Sequence, residues 1–239
     1  MTTFHIITLF PESLESYLNA SIVKRAQDKK LVSIKYYNPR DFAVGKNGKE
    51  KAKTYAERRV DNRPYGGGPG MVIEALPMIK AIDKAVGTKL KKQKAAPSGL
   101  SKNKTSVKII FFNPAGKQFS NEVADDFKKY TDIVLICGRY EGVDARIKKA
   151  FPMIDISVGP YVLTGGELAA MIVIDSVSRR IKGVLGDHLS IEEERISSPD
   201  VYTRPETIEY KGKKYKVPKV LLSGHHAKMD EWKKGRQIK

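Results

Sequence analysis

Short apolar runs alternate with helical patterns along the first two-thirds of the chain. Continuous apolar runs are typical of strands that are covered on both faces, and they predict strands at residues 4–10, 32–37, 109–112, 133–137 and 154–158. Apolar residues three and four positions apart predict amphipathic helices between these strands. The helical sets are Leu14, Tyr17, Leu18 and Ile22; Leu76, Ile79, Ile82 and Val86; and Val123, Ala124, Phe127 and Tyr130. Strand–helix alternation of this kind predicts an α/β domain with a mostly parallel sheet.

Polar residues mark the starts of two predicted helices and two segments that interrupt the strand–helix alternation. Ser120 is placed to open the helix that carries Val123, and Thr164-Gly-Gly-Glu167 has capping-box spacing ahead of the apolar segment 168–177. Residues 87–106 are rich in Lys, Gly, Ser and Pro, which favours a mobile, solvated insertion. Residues 186–200 are polar and lack periodicity, as expected of a linker. We therefore predict a main domain at 1–185, a linker at 186–196 and a small unit at 197–239, which is too small to bury much surface by itself.

Composition and charge narrow the class of protein. Apolar residues make up 41% of the 239 residues, so a sizeable core is expected. Lys and Arg number 44 against 27 Asp and Glu, and the net charge of +17 favours a polyanionic partner, either nucleic acid or an anionic membrane surface. No apolar run approaches the roughly 18 residues of a spanning helix, and the first residues lack the basic start of a signal peptide. We expect a soluble, cytoplasmic protein without a membrane partner.

Metal and disulfide chemistry receive no support from the sequence. Cys137 is the only cysteine, which excludes a disulfide framework and a cysteine-rich zinc site. His5, His188, His225 and His226 have no metal-ligand spacing with a partner. We therefore assign no metal site to the chain.

Three glycine-bearing segments follow three successive predicted strands. They are 113–116 (NPAG), 137–144 (CGRYEGVD) and 157–167 (SVGPYVLTGGE). Ligands in open α/β folds bind at the carboxyl ends of strands, so these segments predict the walls of one pocket, although each alone is also typical of an ordinary turn. A fourth segment, 65–71 (YGGGPGM), follows Asp61-Asn-Arg-Pro64 instead of a strand and lacks a phosphate-loop ending. We interpret it as a loop whose exposed backbone another chain or a nucleotide can approach closely.

Several longer motifs stand along the chain: LFPE at 9–12, RPYGGGPGM at 63–71, CGRYEG at 137–142, YVLTGGE at 161–167, DSVSR at 175–179, YTRPE at 202–206 and LLSG at 221–224. Together they resemble a known family, the bacterial tRNA (guanine-37-N1)-methyltransferases. The resemblance covers nearly the whole chain. It implies a SPOUT-type parallel sheet with a C-terminal trefoil knot, which is a rare exception to unknotted topology, and a small, mainly helical C-terminal domain.

The resemblance also implies an activity and its requirements. A methyl group would pass from S-adenosylmethionine to N1 of guanine 37 in tRNAs that carry G36-G37. The enzyme would be a homodimer with its active site across the subunit interface, and the family is described as Mg²⁺-dependent. The cofactor-binding residues carried over from the family are Pro114, Gly138, Tyr140, Glu141, Val158, Gly159, Pro160, Tyr161, Val162, Leu163, Gly165 and Gly166.

Guanine N1 carries a proton at neutral pH, so methylation requires a base and benefits from a cation near O6, where negative charge develops. The resemblance assigns the cationic role to Arg179, although a cation at a helix C-terminus also has a purely structural explanation. The family's base is an aspartate in the linker, where this chain has Glu192-Glu-Glu-Arg195. We favour Glu194 as the base, with Glu193 as the alternative. Three successive acids also have a purely structural explanation, because such a run usually faces solvent.

A second departure concerns Pro160, which stands where the family has an aspartate and which removes one backbone N–H donor. This departure bears on how tightly the cofactor binds more than on which cofactor binds. Arg58, Arg59, Arg63 and the lysines of the C-terminal unit are candidate phosphate contacts, and Tyr202, Tyr210 and Tyr215 are candidates for stacking on bases. Two other functions stay open: a non-enzymatic RNA-binding protein that has lost the base, and a knotted methyltransferase with a different RNA target.

Overall fold

The structure is a computed structural model, and it describes residues 1–44, 54, 56–95, 106–185, 198 and 200–235. Two compact units make up the chain, Met1–Leu185 and Gly186–Lys239. No helix within the described residues has the length and apolar character needed to cross a bilayer.

The first unit alternates strands and helices. Its strands are β1 (Thr2–Ile7), β2 (Val32–Tyr37), β3 (Asp61–Asn62), β4 (Val72–Ile73), β5 (Val107–Gln118), β6 (Asp132–Ile136) and β7 (Ile154–Ser157). Its α-helices are α1 (Glu12–Leu18), α2 (Ser21–Asp28), α3 (Ala75–Ile82), α4 (Thr88–Ala95), α5 (Asn121–Phe127), α6 (Ile147–Ala150) and α7 (Glu167–Ser178). A 3₁₀ turn at Pro39–Phe42 follows β2, and a π-helical segment at Asp83–Gly87 joins α3 to α4.

Five parallel strands form the central sheet, in the order β2-β1-β6-β5-β7. Every residue of β6 is buried, as expected for a strand with helices on both faces. Strands β3 and β4 pair antiparallel on either side of the glycine-rich segment 65–71. The predicted α/β domain with a mainly parallel sheet is therefore confirmed.

One hydrophobic core lies on each face of this sheet, because successive side chains of a strand point to opposite faces. Phe4 and Ile6 of β1 belong to the first core, together with Leu14, Phe127 and Val173 from the helices. Ile7 belongs to the second core; its other members include Ile73, Met78, Ile82 and Val134. Full burial of each large apolar side chain contributes roughly 1.5–3 kcal/mol, so these two clusters hold the helices against the two faces of the sheet.

The predicted strands all form, with small shifts at their ends. Strand β1 stops at Ile7 instead of residue 10, and β5 continues past residue 112 to Gln118. The single helix expected after β1 is two helices, α1 and α2, because Asn19 and Ala20 interrupt it. Tyr17 and Leu76, which the periodicity assigned to buried helix faces, are about half exposed, at 47% and 52%.

Two helix predictions are wrong in detail. Thr164 is not a capping residue: α7 is preceded by Gly166, and no side chain caps it. The insertion predicted at 87–106 begins as ordered structure, since α4 occupies its first part. Lys89 of α4 forms an ion pair with the buried Asp132, and Gln93 accepts a hydrogen bond from the Val107 N–H, so polar contacts fix a helix that has little apolar surface. Residues 96–105 lie outside the described residues.

The second unit contains a β-hairpin and two helices. Its elements are β8 (Thr207–Tyr210), β9 (Lys213–Lys216), α8 (Lys219–Leu222) and α9 (His226–Lys234). Lys211 and Gly212 both have positive φ, which suits the tight turn that joins the two antiparallel strands. Tyr202 contacts Trp232 of α9 with ring centroids 6.2 Å apart. The hairpin was not foreseen from the sequence, and the predicted linker at 186–196 lies outside the described residues.

Candidate active site

Three loops meet at the carboxyl ends of the adjacent strands β6, β5 and β7. We call them the β5 loop (113–116), the β6 loop (138–142) and the β7 loop (158–166). They enclose a cavity of about 440 Å³. The carried-over cofactor residues that line this cavity are Pro114, Gly138, Tyr140, Glu141, Val158, Gly159, Tyr161, Val162, Leu163, Gly165 and Gly166. Pro160 is exposed and is not among the lining residues.

The β5 loop forms the first wall and bulges out of its strand. Phe112 and Lys117 both align with Ile156 of β7, so the residues between them are excluded from the ladder. Asn113 donates a hydrogen bond to the Asp155 carboxylate at 2.8 Å, which fixes the start of the bulge. A Cβ at Gly116 would lie 2.6 Å from the carbonyl carbon of Asp155, so only glycine fits where the loop returns to β7.

The β6 loop forms the second wall and carries a strained residue. Tyr140 has φ of +59°, a left-handed conformation that is rare for an aromatic residue and that clusters at functional sites. The loop is tied to the glycine-rich segment, because the Glu141 N–H donates to the Met71 carbonyl at 2.9 Å and the Ile73 N–H donates to the Gly142 carbonyl at 3.0 Å. The segment 65–71 therefore lies beside this wall of the cavity.

The β7 loop forms the third wall and returns from the sheet edge to the end of β6. The Gly166 N–H donates to the Gly138 carbonyl at 3.0 Å, and Gly165 forms an isolated bridge with Arg139. A Cβ at Gly166 would lie 2.6 Å from the Cys137 Cα, so a side chain at this position would separate the two walls. Burial, reinforced by the charge of Glu167, raises the pKa of the Cys137 thiol well above its usual value, which argues against a role as nucleophile.

Charged groups of the cavity are held by specific partners. The Nε atom of Arg139 lies 3.0 Å from the carboxylate of Glu167, and the Arg139 guanidinium lies over the Phe10 ring, 4.7 Å from its centroid. The Lys148 ammonium contacts Asp155 at 2.5 Å. The carboxylate of Glu141 lines the cavity and has no ion-pair partner in the part of the chain that the structure describes. In the same part, no three His, Cys, Asp or Glu side chains are grouped so as to hold a metal ion.

Arg179 lies away from this cavity. It follows the last residue of α7, whereas Gly166 at the opposite end of that helix lines the cavity. Twelve helical residues span about 18 Å. Glu193 and Glu194 lie outside the described residues.

Sequence reasoning missed several polar residues at the site. Arg139 lies within a predicted loop, and Lys148 and Asp155 lie near the predicted loops, but none of the three was given a role; Glu167 was interpreted only as a capping residue. Thr8 donates a 2.7 Å hydrogen bond to Glu167 and stands alone as a polar residue within the apolar run 6–10. That isolated hydroxyl was a signal in the sequence of the buried contact with Glu167.

A cavity walled by glycine-bearing loops at the carboxyl ends of a parallel sheet defines the chain as an α/β protein of the ligand-binding, enzymatic type. Comparison with known proteins makes this specific. Residues 2–239 match the family model described as tRNA (Guanine-1)-methyltransferase TrmD. The chain belongs to this tRNA (guanine-N1)-methyltransferase family.

Individual relatives match this chain over nearly its full length. The chain is 40% identical over 240 residues to the tRNA (guanine-N(1)-)-methyltransferase of Clostridioides difficile, covering 99% of this chain and 92% of the relative. It is 38% identical over 237 residues to that of Carboxydothermus hydrogenoformans, covering 98% and 81%. The crystal structure of the tRNA (m1G37) methyltransferase from Aquifex aeolicus matches with a TM-score of 0.70 and 36% identity, covering 97% of this chain and 87% of that chain.

Proposed function

We propose that this protein transfers a methyl group from S-adenosylmethionine to N1 of guanine 37 in tRNAs that carry G36-G37. The observation that carries the proposal is the convergence of the three family motifs in the β5, β6 and β7 loops around one cavity of about 440 Å³. Family membership supplies the reaction class, methylation of a tRNA guanine by an S-adenosylmethionine-dependent enzyme.

The cavity fits an adenosyl cofactor by its backbone. Glycine at 165 and 166 lets the β7 loop pack closely against the β6 loop, since any side chain would meet Arg139, Glu167 or Cys137. Small ligands of this size are held in mostly apolar pockets by a few polar groups, and Glu141 is an acid placed to accept hydrogen bonds from a ribose or an amine. The residues proposed to hold the cofactor are Pro114, Gly138, Tyr140, Glu141, Val158, Gly159, Tyr161, Val162, Leu163, Gly165 and Gly166.

Pro160 follows Gly159 at the surface of the β7 loop, with its side chain exposed. We retain it as a neighbour of the binding run and not as a contact. The N–H that proline lacks at this position would therefore not lie among the groups that line the described cavity.

The protein's own groups then perform the proton transfer. Bound S-adenosylmethionine supplies a methyl group on a sulfonium centre. Glu194 of the linker, with Glu193 as the alternative, removes the proton from guanine N1. Arg179 places a fixed positive charge near O6, where negative charge develops as the proton leaves.

A homodimer explains how Arg179 reaches a cavity. The outer face of α7 carries Leu168, Ile172, Asp175 and Arg179 at helical spacing. Leu168 and Ile172 are 54% and 42% exposed, an unusual exposure for two large apolar residues on one helix face. We infer that a second copy covers this face and receives Arg179 at its cavity, so that each active site uses both subunits.

The trefoil knot is supported by the path of the β7 loop. Strand β7 lies at the sheet edge beside β5, yet residues 165 and 166 contact the end of β6, on the far side of β5. The chain therefore crosses the β5 strand end between these points. We infer that it passes through the β5 loop in doing so.

Binding of tRNA accounts for the charge of +17, since Lys and Arg neutralise phosphates. In the second unit Tyr210 and Tyr215 are exposed on the hairpin among lysines, as stacking on unpaired bases requires. Dependence on Mg²⁺ and a location in the cytoplasm stay predictions from the resemblance.

The test is transfer of labelled methyl from S-adenosylmethionine to tRNA carrying G36-G37, with A37 and A36 transcripts as matched controls. We expect label only in the G36-G37 transcript, at guanine N1. Absence of transfer despite tRNA binding would favour the non-enzymatic RNA-binding protein. Label in ribosomal RNA or at another tRNA position would favour a methyltransferase with a different target.

A further inference from the structure

The cavity wall carries more positive than negative side chains. Arg139, Lys148 and Glu141 are the charged residues among its described lining. Each cation has an acid behind it, Glu167 for Arg139 and Asp155 for Lys148. Among the described residues only Glu141 has no ion-pair partner, so their charges on this wall, with these two acids, sum to one net negative charge.

Glu167 is an unusual residue for this compensating role, because its side chain is nearly fully buried at 5% exposed. Thr8 at the end of β1 donates to one carboxylate oxygen at 2.7 Å, and the same hydroxyl accepts a hydrogen bond from the Phe10 N–H at 3.0 Å. The carboxylate also lies in the first turn of α7, where the helix field favours negative charge. Buried charge of this kind is retained only when it is paired.

Arg139 is fixed by the same cluster and faces the cavity with a side chain that is 25% exposed. Its guanidinium lies over Phe10, and Gly165 packs against both members of the pair, since a Cβ there would lie 2.4 Å from the arginine Nε and 2.5 Å from the glutamate Oε2. Three segments therefore meet at one ion pair: the end of β1, the β6 loop and the start of α7.

We propose that Glu167 is a positioning residue and the buried counter-ion of Arg139, and that it makes the cavity selective for a cationic cofactor over its neutral counterpart. The proposal rests on the proposed function, in which the donor S-adenosylmethionine carries one net positive charge and the product S-adenosylhomocysteine carries none. Glu167 acts through Arg139, both by orienting the β6 loop and by cancelling a positive charge that would otherwise repel the donor.

The discriminating variant is Glu167→Gln, because glutamine has the same shape and still accepts the hydrogen bond from Thr8 while its charge is lost. Arg139 then faces the cavity without compensation. We expect the Kd of S-adenosylmethionine to rise about tenfold, and that of S-adenosylhomocysteine about twofold or less, by the size of a partly screened charge–charge interaction. The KM for the donor should rise similarly while kcat at saturation stays within about threefold, and added salt should narrow the gap between the two ligands.

The double variant Glu167→Gln, Arg139→Gln separates charge from structure. Removing both members of the pair removes the uncompensated cation, so donor selectivity should return towards the wild-type ratio even where overall affinity stays low. Asp28→Asn, which breaks an exposed ion pair with Lys24 on α2, is the matched control and should change neither Kd. Calorimetry with the full-length protein measures all of these constants.

If Glu167→Gln lowers the affinity for the two ligands equally, Glu167 does not act as the counter-ion. If both Kd values are unchanged, it acts neither as the counter-ion nor as a positioning residue. A merely structural residue would lower the melting temperature without altering the ratio of the two Kd values. Failure of the wild-type protein to bind the donor or to methylate tRNA would count instead against the proposed function, so the two results are distinguishable.

Discussion

The backbone of Gly70 lies directly against the side chain of Glu141. A Cβ on Gly70 would sit 2.5 Å from Oε1 of that glutamate, and Gly70 has φ of +85°, which favours glycine. The glycine-rich segment thus holds Glu141 in position, the acid of the cavity that has no ion-pair partner among the described residues. We expect Gly70→Ala to displace Glu141 and to raise the KM for S-adenosylmethionine about tenfold, a loss of ~1.4 kcal/mol in binding. Steady-state kinetics with saturating tRNA measures the effect.

Gly67→Ala is the matched control for this variant. Gly67 also has a positive φ, +80°, but nothing lies within 4 Å of the position that a Cβ would occupy. Its substitution therefore adds only backbone strain, about 1–2 kcal/mol, without a collision. An equal change of KM in both variants would show that strain, and not contact with Glu141, is responsible.

Arg179 provides the sharpest test of a shared active site. If it acts in the cavity of the other subunit, Arg179→Ala should lower kcat about 10²–10³-fold, the usual cost of removing a charge-stabilising group. A heterodimer of one Arg179→Ala subunit and one Glu141→Ala subunit should have about half of the wild-type activity, because one of its two sites is intact. Differently tagged subunits purified in tandem allow the measurement.

Two results would count against this arrangement. No recovery in the mixed dimer would mean that Arg179 serves its own subunit or none. Loss of activity in Lys182→Ala, which removes an exposed cation three residues after Arg179, would mean that general charge near the helix end matters instead of this guanidinium. Unchanged melting temperatures of both variants would exclude misfolding as the cause.

The sheet and the three loops were predictable because their signals are local. Buried strands require continuous apolar runs, and glycine at a strand end identifies a place where backbone must approach backbone, as at Gly166. Family motifs then assigned a ligand to the pocket. No local pattern predicts the order of the strands in the sheet, because the pairing of β1 with β6 joins residues about 130 positions apart.

Contacts that depend on distant residues were not predictable. The helix α4 has a polar sequence and looked like part of a loop, yet Lys89 reaches Asp132, which is 43 positions away in the chain. Leu76 and Tyr17 had helical spacing but face outwards, because the periodicity of a short helix does not reveal which neighbours cover it. The role of Glu167 was not predictable for the same reason, since its partners Thr8 and Arg139 come from two other segments of the chain.

The base is tested by two neighbouring isosteric variants in the acidic run. Glu194→Gln should lower turnover about 10²–10⁴-fold, the usual contribution of a general base, and should leave the Kd of the donor nearly unchanged. Glu193→Gln serves as the matched control, with the same charge change one residue away. Single-turnover methylation of G36-G37 tRNA separates the chemical step from product release. A larger defect in Glu193→Gln would reverse the assignment, and two unaffected variants would exclude the run as the source of the base.

The exposed apolar residues of α7 test the subunit interface. Ile172→Glu places a charge on the face that also carries Leu168, and burying such a charge without a partner is costly. We expect sedimentation velocity to show a dimer for the wild-type protein and mostly monomer for this variant, with a matching loss of methyl transfer. Leu76→Glu places the same charge on a leucine of α3 that is exposed at 52% against 42% for Ile172, and this variant should remain dimeric. Dimers of undiminished stability in Ile172→Glu would locate the interface elsewhere.

A buried ionic cluster on the opposite end of the sheet predicts how the fold responds to acid. Burial alone would raise the pKa of Asp132, but hydrogen bonds from His5, Lys89 and Thr131 and the charge of Lys89 outweigh it and lower the pKa from 3.8 to about 2. A carboxyl group with a lowered pKa in the folded state stabilises the protein above the unfolded value, and that contribution is lost as the pH falls from about 4 to about 2.

Asp132→Asn should therefore lose about 2 kcal/mol of unfolding free energy at pH 7, the equivalent of the pKa difference. Urea unfolding at several pH values from 7 down to 2.5 measures this loss. The wild-type and variant curves should converge as the pH approaches 2, because protonation of Asp132 then removes the same charge that the substitution removes. Curves that stay parallel over the whole range would mean that the substitution acts through packing with His5 and not through the charge of Asp132.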